Sequence, residues 1–426
     1  MLRRLFALSL ASILVPSTSA QTLSLQDTAQ MAAARPSETV IYTAKQFRTM
    51  DPAMPVAEAV AVRDGRFIAV GSLAEVRRAA PDARMDRSFD GKTVTAGFVE
   101  QHVHPVLAAL TMNTTVISIE DWNSIGGFSP AVRDERGYQR RLKQALAAHK
   151  DPAQPFVTWG YHHYFHGAMS RQMLDRLAPD FPVIVWHRSV HEFFLNSAAL
   201  KAAGIDAAFV DALPAGPRAQ SSLEKGHFYE QGMFAVAPKL APMMATPEKF
   251  RQGLEFSVGY YHRNGITFAC EPGGMVSRPL QEAINAVLGA DSTPFNHCFI
   301  ADGKSLLAAH PNDPAAMLAA TRGMESWGRG RAFYLPNQVK LFADGAIFSQ
   351  LMQMKEGYTD GHHGEWIMPP ADLKKAFDSY WDAGFQIHVH TNGDAAGEEL
   401  VALLADAQVR KPRTDHRTVW VHFGFA

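Results

Sequence analysis

Thr93-Val94-Thr95-Ala96-Gly97-Phe98-Val99-Glu100-Gln101-His102-Val103-His104 runs an apolar stretch straight into two histidines one residue apart. Side chains alternate faces along a strand, so residues i and i+2 point the same way, about 7 Å apart along the chain, and both imidazoles can converge on one cation. An apolar strand ending in His-x-His reads as the metal edge of a barrel. Two hydrogen-bonded histidines at a strand end would look the same in isolation, so the choice rests on the rest of the chain.

Beyond Gly97 the pattern repeats. Helical periodicity over 136–149, 171–178, 248–263, 372–383 and 394–409 alternates with the runs Phe156–Trp159, Val183–Trp186, Ile266–Cys270, Val339–Phe342, Gln386–His390 and Thr418–His422. Such alternation predicts an α/β fold with a parallel sheet, and functional groups at successive strand ends favour a (β/α)8 TIM-like barrel, spanning 94–426, over an open sheet. Upstream, 39–93 reads as a small β module. Its runs Thr39–Tyr42, Ala59–Val62 and Arg66–Val70 are short and β-rich, and Arg63-Asp64-Gly65 supplies a turn between the last two.

Three later strands carry chemistry. His390 closes the run from Gln386 and precedes the loop signal Thr391-Asn392-Gly393-Asp394, which puts its imidazole at the carboxyl edge where barrels keep their sites. His422 closes the next run in the same manner. Lys340 lies inside an apolar strand, where a bare ammonium is costly to bury. Either it pairs with a carboxylate such as Asp344, or desolvation makes it neutral. A neutral amine can take up carbon dioxide and become an anionic carbamate able to bridge two metals.

Composition bounds the rest. The chain has 426 residues, 47% of them hydrophobic, with a formal net charge of -1. No basic surface or charge run suits a phosphate backbone, so nucleic acid is excluded as a partner and a small-molecule substrate is expected. Arg3-Arg4, the apolar run from Leu5 to Val15 and Thr18-Ser19-Ala20 read as a signal peptide over 1–20, followed by a loose leader over 21–38. That predicts an exported protein, periplasmic or secreted, with no membrane span. Only Cys270 and Cys298 are present, which excludes a disulfide framework and favours two separately buried thiols over one bridge.

From about residue 39 onward the chain resembles the amidohydrolase superfamily, specifically its YtcJ-like group, which includes N-substituted formamide deformylases. Ala57 to Arg66, followed by Val70-Gly71, resembles the group's β module. Gly97 to His104 resembles its first-strand metal motif, with Glu100 where Asp is usual and Ala96 where Pro is usual. His191-Glu192-Phe193-Phe194-Leu195-Asn196-Ser197-Ala198-Ala199-Leu200 resembles its internal His to Asn-Ser-x-Ala-Leu segment, and the stretches Val339 to Ala346 and Val389 to Ala396 resemble its later motifs.

The resemblance implies a metal-dependent hydrolase with one or two divalent ions, Zn2+ above all, at the mouth of a barrel. Carried over, His102 and His104 would hold the first metal, Lys340 would bridge as a carbamate, and His390 and His422 would hold the second, with Lys340 and His390 also catalytic. Neutral imidazoles with an anionic oxygen suit zinc, and a bound water made acidic would attack a carbonyl. An amide or other C–N bond is the expected target, with an ester, lactone or phosphotriester as the alternative. Trp159, Tyr161 and His191 are candidates for substrate contact, since 159–166 is dense in rings. His388 shares a face with His390 and reads as a supporting partner or a core residue. Set against the family, the expected barrel is incomplete: its seventh and eighth strands, the Asp that closes the eighth, and the closing β strands fall beyond Ala426. A non-catalytic relative therefore stands as the other function class.

Overall fold

The structure, a computed structural model, describes residues 38–425 apart from 245, 275 and 276. The expected signal peptide and all but the last residue of the 21–38 leader lie outside the described residues. The chain divides into two compact units, one ending at Ala96 and one running from Gly97.

In the first unit, β1 (Val40–Arg48), β2 (Val56–Arg63), β3 (Arg66–Gly71) and β4 (Arg84–Val94) form a sheet of order β3-β2-β1-β4. β1 runs antiparallel to β2 and parallel to β4. The turn between β2 and β3 places Asp64 and Gly65 at φ 51° and 69°, a left-handed pair that Asp and Gly tolerate and that matches the twist of a hairpin. Helix Leu73–Ala79 opens with a reciprocal capping box between Ser72 and Glu75. It buries Val76 against Ile41, Ala59 and Ala61.

The second unit holds two six-stranded sheets. One is built from β5 (Phe98–Glu100), β14 (Ile266–Pro272), β15 (Asn296–Asp302), β16 (Ala332–Phe342), β17 (Gln386–Thr391) and β18 (Val419–His422), in that order and parallel throughout. It curls, because the rings of His102, just past β5 on one edge, and His422, on β18 at the other, stand 4.8 Å apart between centroids. The result is a curled parallel half-barrel. Helices Pro247–Arg263, Pro370–Asp382 and Asp394–Arg410 lie within about two residues of where periodicity puts them.

Alternation along the strands sorts the side chains. Val339, Leu341, Ile387 and Val389 pack against Phe377, Trp381, Leu400 and Leu403 of the covering helices. The residues between them, Lys340, Phe342, His388 and His390, therefore point to the concave side.

The other sheet is an insertion between the first and second barrel strands. It comprises β6 (Thr115–Val116), β9 (Phe156–Tyr161), β10 (Val183–His187), β11 (Glu192–Leu195), β13 (His227–Tyr229) and β12 (Ser221–Ser222), with a separate hairpin of β7 (Trp122–Ser124) and β8 (Gly127–Ser129). β6, β9 and β10 are parallel, and the remainder antiparallel. The runs at 156 and 183 thus belong to this sheet and not to the barrel. Buried parallel strands are apolar on both faces in either setting, so their sequences look alike. β15, by contrast, escapes a reading by hydrophobicity: Asn296-His297 and Asp302 flank an apolar core of only four residues, Cys298 to Ala301.

The cysteines depart from expectation. Cys270 and Cys298 are directly opposed on β14 and β15, with Cα atoms 4.4 Å apart, and form a disulfide. Sequence separation says nothing about this register, and the register is what brings the two sulfurs together.

Candidate metal centre

The sheet edge assembles the strand-end residues by register. β16 and β17 pair Lys340 with His388 and Phe342 with His390, and β17 and β18 pair Thr391 with His422. His102 and His104 follow β5, and their Nε2 atoms stand 3.1 Å apart. The rings then continue as a chain: His102 lies 4.8 Å from His422, and His422 lies 4.7 Å from His390, centroid to centroid. The four histidines expected from sequence are therefore brought together, strung along the concave edge.

Lys340 sits among them, 1% exposed. Gly273, at φ 80°, lies against its stem, and any Cβ there would collide with Lys340 Cγ. Among the described residues Lys340 makes no ion pair. Asp344 is engaged elsewhere, accepting the backbone N–H groups of Gln353, Asn392 and Gly393. Burial pushes the Lys340 amine down to about 7, opposed only by Asp302 across the strand pair.

The same desolvation keeps His102, His390 and His422 neutral. Burial first, then Lys340 and the neighbouring imidazoles, hold His102 down to about 2 and His422 to about 4; His390 lies well below the usual range for the same reasons. Uncharged imidazoles with free electron pairs are what a borderline divalent cation requires, so the donor set fits zinc. His388, held down to about 4, contacts Gln338 Oε1 at 3.0 Å.

Sequence reasoning missed the carboxylates that orient these rings. Glu271, 1% exposed at the end of β14, holds Oε1 3.2 Å from His104 Nδ1, while its Oε2 has no partner among the described residues. The available signal was a charged residue closing an apolar strand. Glu230 holds His191 Nδ1 at 2.7 Å. Burial alone would lower His191, but the Glu230 carboxylate overrides it and raises the ring above its ordinary value. His191 reaches the edge of the centre, 6.1 Å from the His390 ring.

The other two expected substrate residues are placed differently. Trp159 is 4% exposed in the core of the inserted sheet, edge-on to Trp122. Tyr161 is 1% exposed and donates its hydroxyl to the Gly167 carbonyl. Both pack inside the insertion and offer no face to a substrate: a bulge at Gly160, at φ 111°, sends Trp159 into one core cluster and Tyr161 into another.

The amidohydrolase family model matches residues 89–423, more than three quarters of the chain. This chain belongs to the amidohydrolase family. A short match at 59–83 is to an imidazolonepropionase-like composite domain of bacteria. The exoenzymes regulatory protein AepA of Pectobacterium carotovorum is 24% identical over 86% of this chain and 76% of its own. An N-substituted formamide deformylase of Arthrobacter pascens is 33% identical over 38% of this chain and 28% of its own. Across the curated relatives that match, the chain spans between 28% and 76% of their lengths. An uncharacterized metal-dependent hydrolase from Pyrococcus horikoshii superposes with a TM-score of 0.59 at 14% identity, covering 87% of this chain and 68% of that one. At that identity the likeness concerns the fold. Among the described residues, no helix of this amidohydrolase is long and apolar enough to cross a membrane.

Proposed function

We propose that this amidohydrolase is an exported, metal-dependent hydrolase acting on an amide or other C–N bond of a small molecule. The observation that carries the reading is the placement of Lys340, buried and without an ion-pair partner among the described residues, inside the arc of His102, His104, His390 and His422. His102, His104, His390 and His422 would hold a divalent ion, Zn2+ above all, whose chemistry would be to acidify a water and polarise a carbonyl.

The chain's own residues do the rest. His102 and His104 present ring nitrogens on one side, with Glu271 fixing the tautomer of His104 by accepting from its Nδ1. His390 and His422 present theirs on the other. The neutral Lys340 amine attacks carbon dioxide, an N–C bond forms and the amine proton leaves to solvent, so that a carbamate places one negative charge among the imidazoles. His191, whose affinity for a proton the Glu230 carboxylate raises, stands at the edge where a carbonyl oxygen gains charge and can donate to it. The disulfide accords with an oxidising compartment and so supports export.

Two measurements test the reading. Elemental analysis of the purified chain should find zinc or a similar ion that falls on His102→Ala/His104→Ala substitution; unchanged stoichiometry would reject the ligand set. A panel of N-substituted formamides, other amides, esters, lactones and phosphotriesters should show metal-dependent turnover on the C–N substrates first. Turnover confined to esters or phosphotriesters would overturn the bond assignment.

A further inference from the structure

A second group of imidazoles stands on the inserted sheet, outside the barrel set. β9 and β10 are parallel neighbours, with Trp159 opposite Trp186 and Tyr161 opposite His187. His162 and His163 follow the carboxyl end of β9, and His187 closes β10. One ring nitrogen from each of the three lies within 4.8 Å of the others. Among the described residues, these are the side chains whose potential ligand atoms converge in this way.

Among the described residues, each ring has one nitrogen with a partner of its own and one left open. His187, 0% exposed, accepts the Ser189 backbone N–H on Nδ1 at 3.1 Å, with Ser189 Oγ 2.8 Å and Glu192 Oε1 3.5 Å from the same atom. Its Nε2 is buried and has no partner among the described residues, and neither does Glu192 Oε1 by hydrogen bond. Nε2 is the open nitrogen, and a proton moved to Nδ1, towards the buried Glu192 carboxylate, would free its electron pair for a cation. His163 contacts Gln350 Oε1 at 3.1 Å through Nε2, which leaves Nδ1 for a ligand. His162 receives the Tyr164 backbone N–H at 3.3 Å on Nδ1, a long contact and the one that ligation would strain.

Electrostatics agree. Burial, and after it the other rings, hold His162 down to about 4, and burial holds His187 to about 3 against the pull of Glu192, so both are neutral donors at pH 7. Glu192 itself stays ionised, held to about 2 by His187 and His227 despite its burial. Arg188 also disfavours a positive charge on His162, and its guanidinium is engaged by Glu120 at 3.1 Å and laid over Trp159 and Phe348. Nitrogens on one tetrahedral zinc stand roughly 3.3 Å apart, so ring rotations of about an ångström would close the present spacing.

We propose that His162, His163 and His187 form a second divalent-cation site, suited to ions of the Zn2+, Co2+ and Ni2+ class and independent of the barrel centre. It shares no ligand with that centre and does not depend on the proposed function. The test is a Co2+ titration of the full chain after chelation, read by visible d–d absorption and by elemental analysis after desalting. His163→Gln, at a half-buried position, and His187→Asn should each lose one equivalent of cobalt or bind it at least tenfold more weakly, while His102→Ala/His104→Ala keeps that equivalent. Circular dichroism confirms which variants fold. If folded His163→Gln binds cobalt with the stoichiometry and affinity of the unsubstituted chain, or if His102→Ala/His104→Ala binds none, the second site does not exist. If His102→Ala/His104→Ala loses nothing while His163→Gln loses its equivalent, the second site stands and the barrel ligand set fails.

Discussion

His104 Nδ1 stands 3.2 Å from Oε1 of Glu271, a residue 167 positions later. The contact ties the segment after β5 to the end of β14 and decides which nitrogen of His104 remains free for a ligand. Imidazoles hinged at Cβ have several usable orientations, and a buried carboxylate behind the ring selects one of them.

Glu271→Gln is therefore expected to weaken metal binding by about 10- to 100-fold without unfolding the chain, since the amide keeps the shape and loses the charge. Competition with a coloured chelator measures it. Equal dissociation constants for the two forms would mean that Glu271 does not orient His104.

Lys340 should leave a mark on stability against pH. Its amine is lowered from an ordinary 10.5 to about 7, so between those values the unfolded chain binds a proton that the folded chain does not. Stability then rises with pH from about 7 to 10.5, and the full cost of burial is present below 7. Lys340→Met should flatten that slope in the metal-free chain and add roughly 1–4 kcal/mol at pH 7. Urea melts across the window check this; an unchanged slope would mean that Lys340 is charged and paired when folded.

His297 offers a test away from the centre. It is fully buried at the start of β15, neither ring nitrogen has a partner among the described residues, and burial holds it down to about 3. Below its ordinary 6.5 the unfolded chain takes up a proton that the folded chain refuses, so this residue removes stability as pH falls from 6.5 towards 3. His297→Leu should add roughly 1–3 kcal/mol at neutral pH by deleting two unsatisfied polar atoms, and should make the chain less acid-sensitive. A lower melting temperature for the variant at pH 5 would contradict the burial argument.

Asn196 explains one of the family-like segments in structural terms. Its Oδ1 accepts the N–H groups of Val183 and Ala199, capping helix Ser197–Ala203, and its Nδ2 donates to the carbonyls of Ala178 and Phe181. Asn196→Ala should cost about 2–4 kcal/mol, through a lost cap and buried groups left unpaired. Thermal melts measure the loss, and the metal stoichiometry should stay unchanged. Loss of metal in a folded Asn196→Ala chain would show that the segment belongs to the site.

Much was legible in the linear chain for one physical reason: strand alternation has period two, and an imidazole or amine that ends or interrupts an apolar run must face a site or a partner. That reasoning singled out His102, His104, Lys340, His390 and His422, which the fold brings together, and it placed the hairpin at Asp64-Gly65 and the main helices. Hydrophobic runs, however, carry no label for the sheet they join. Only the tertiary structure assigned 156–161 and 183–187 to the inserted sheet, added β15 to the barrel, and bonded Cys270 to Cys298. It also supplied Glu271 and Glu230 behind the rings, turned Trp159 and Tyr161 into packing residues, and gathered His162, His163 and His187. Each of these depends on register and packing between segments far apart in sequence, and pairing energies between distant strands leave no periodicity in either strand alone.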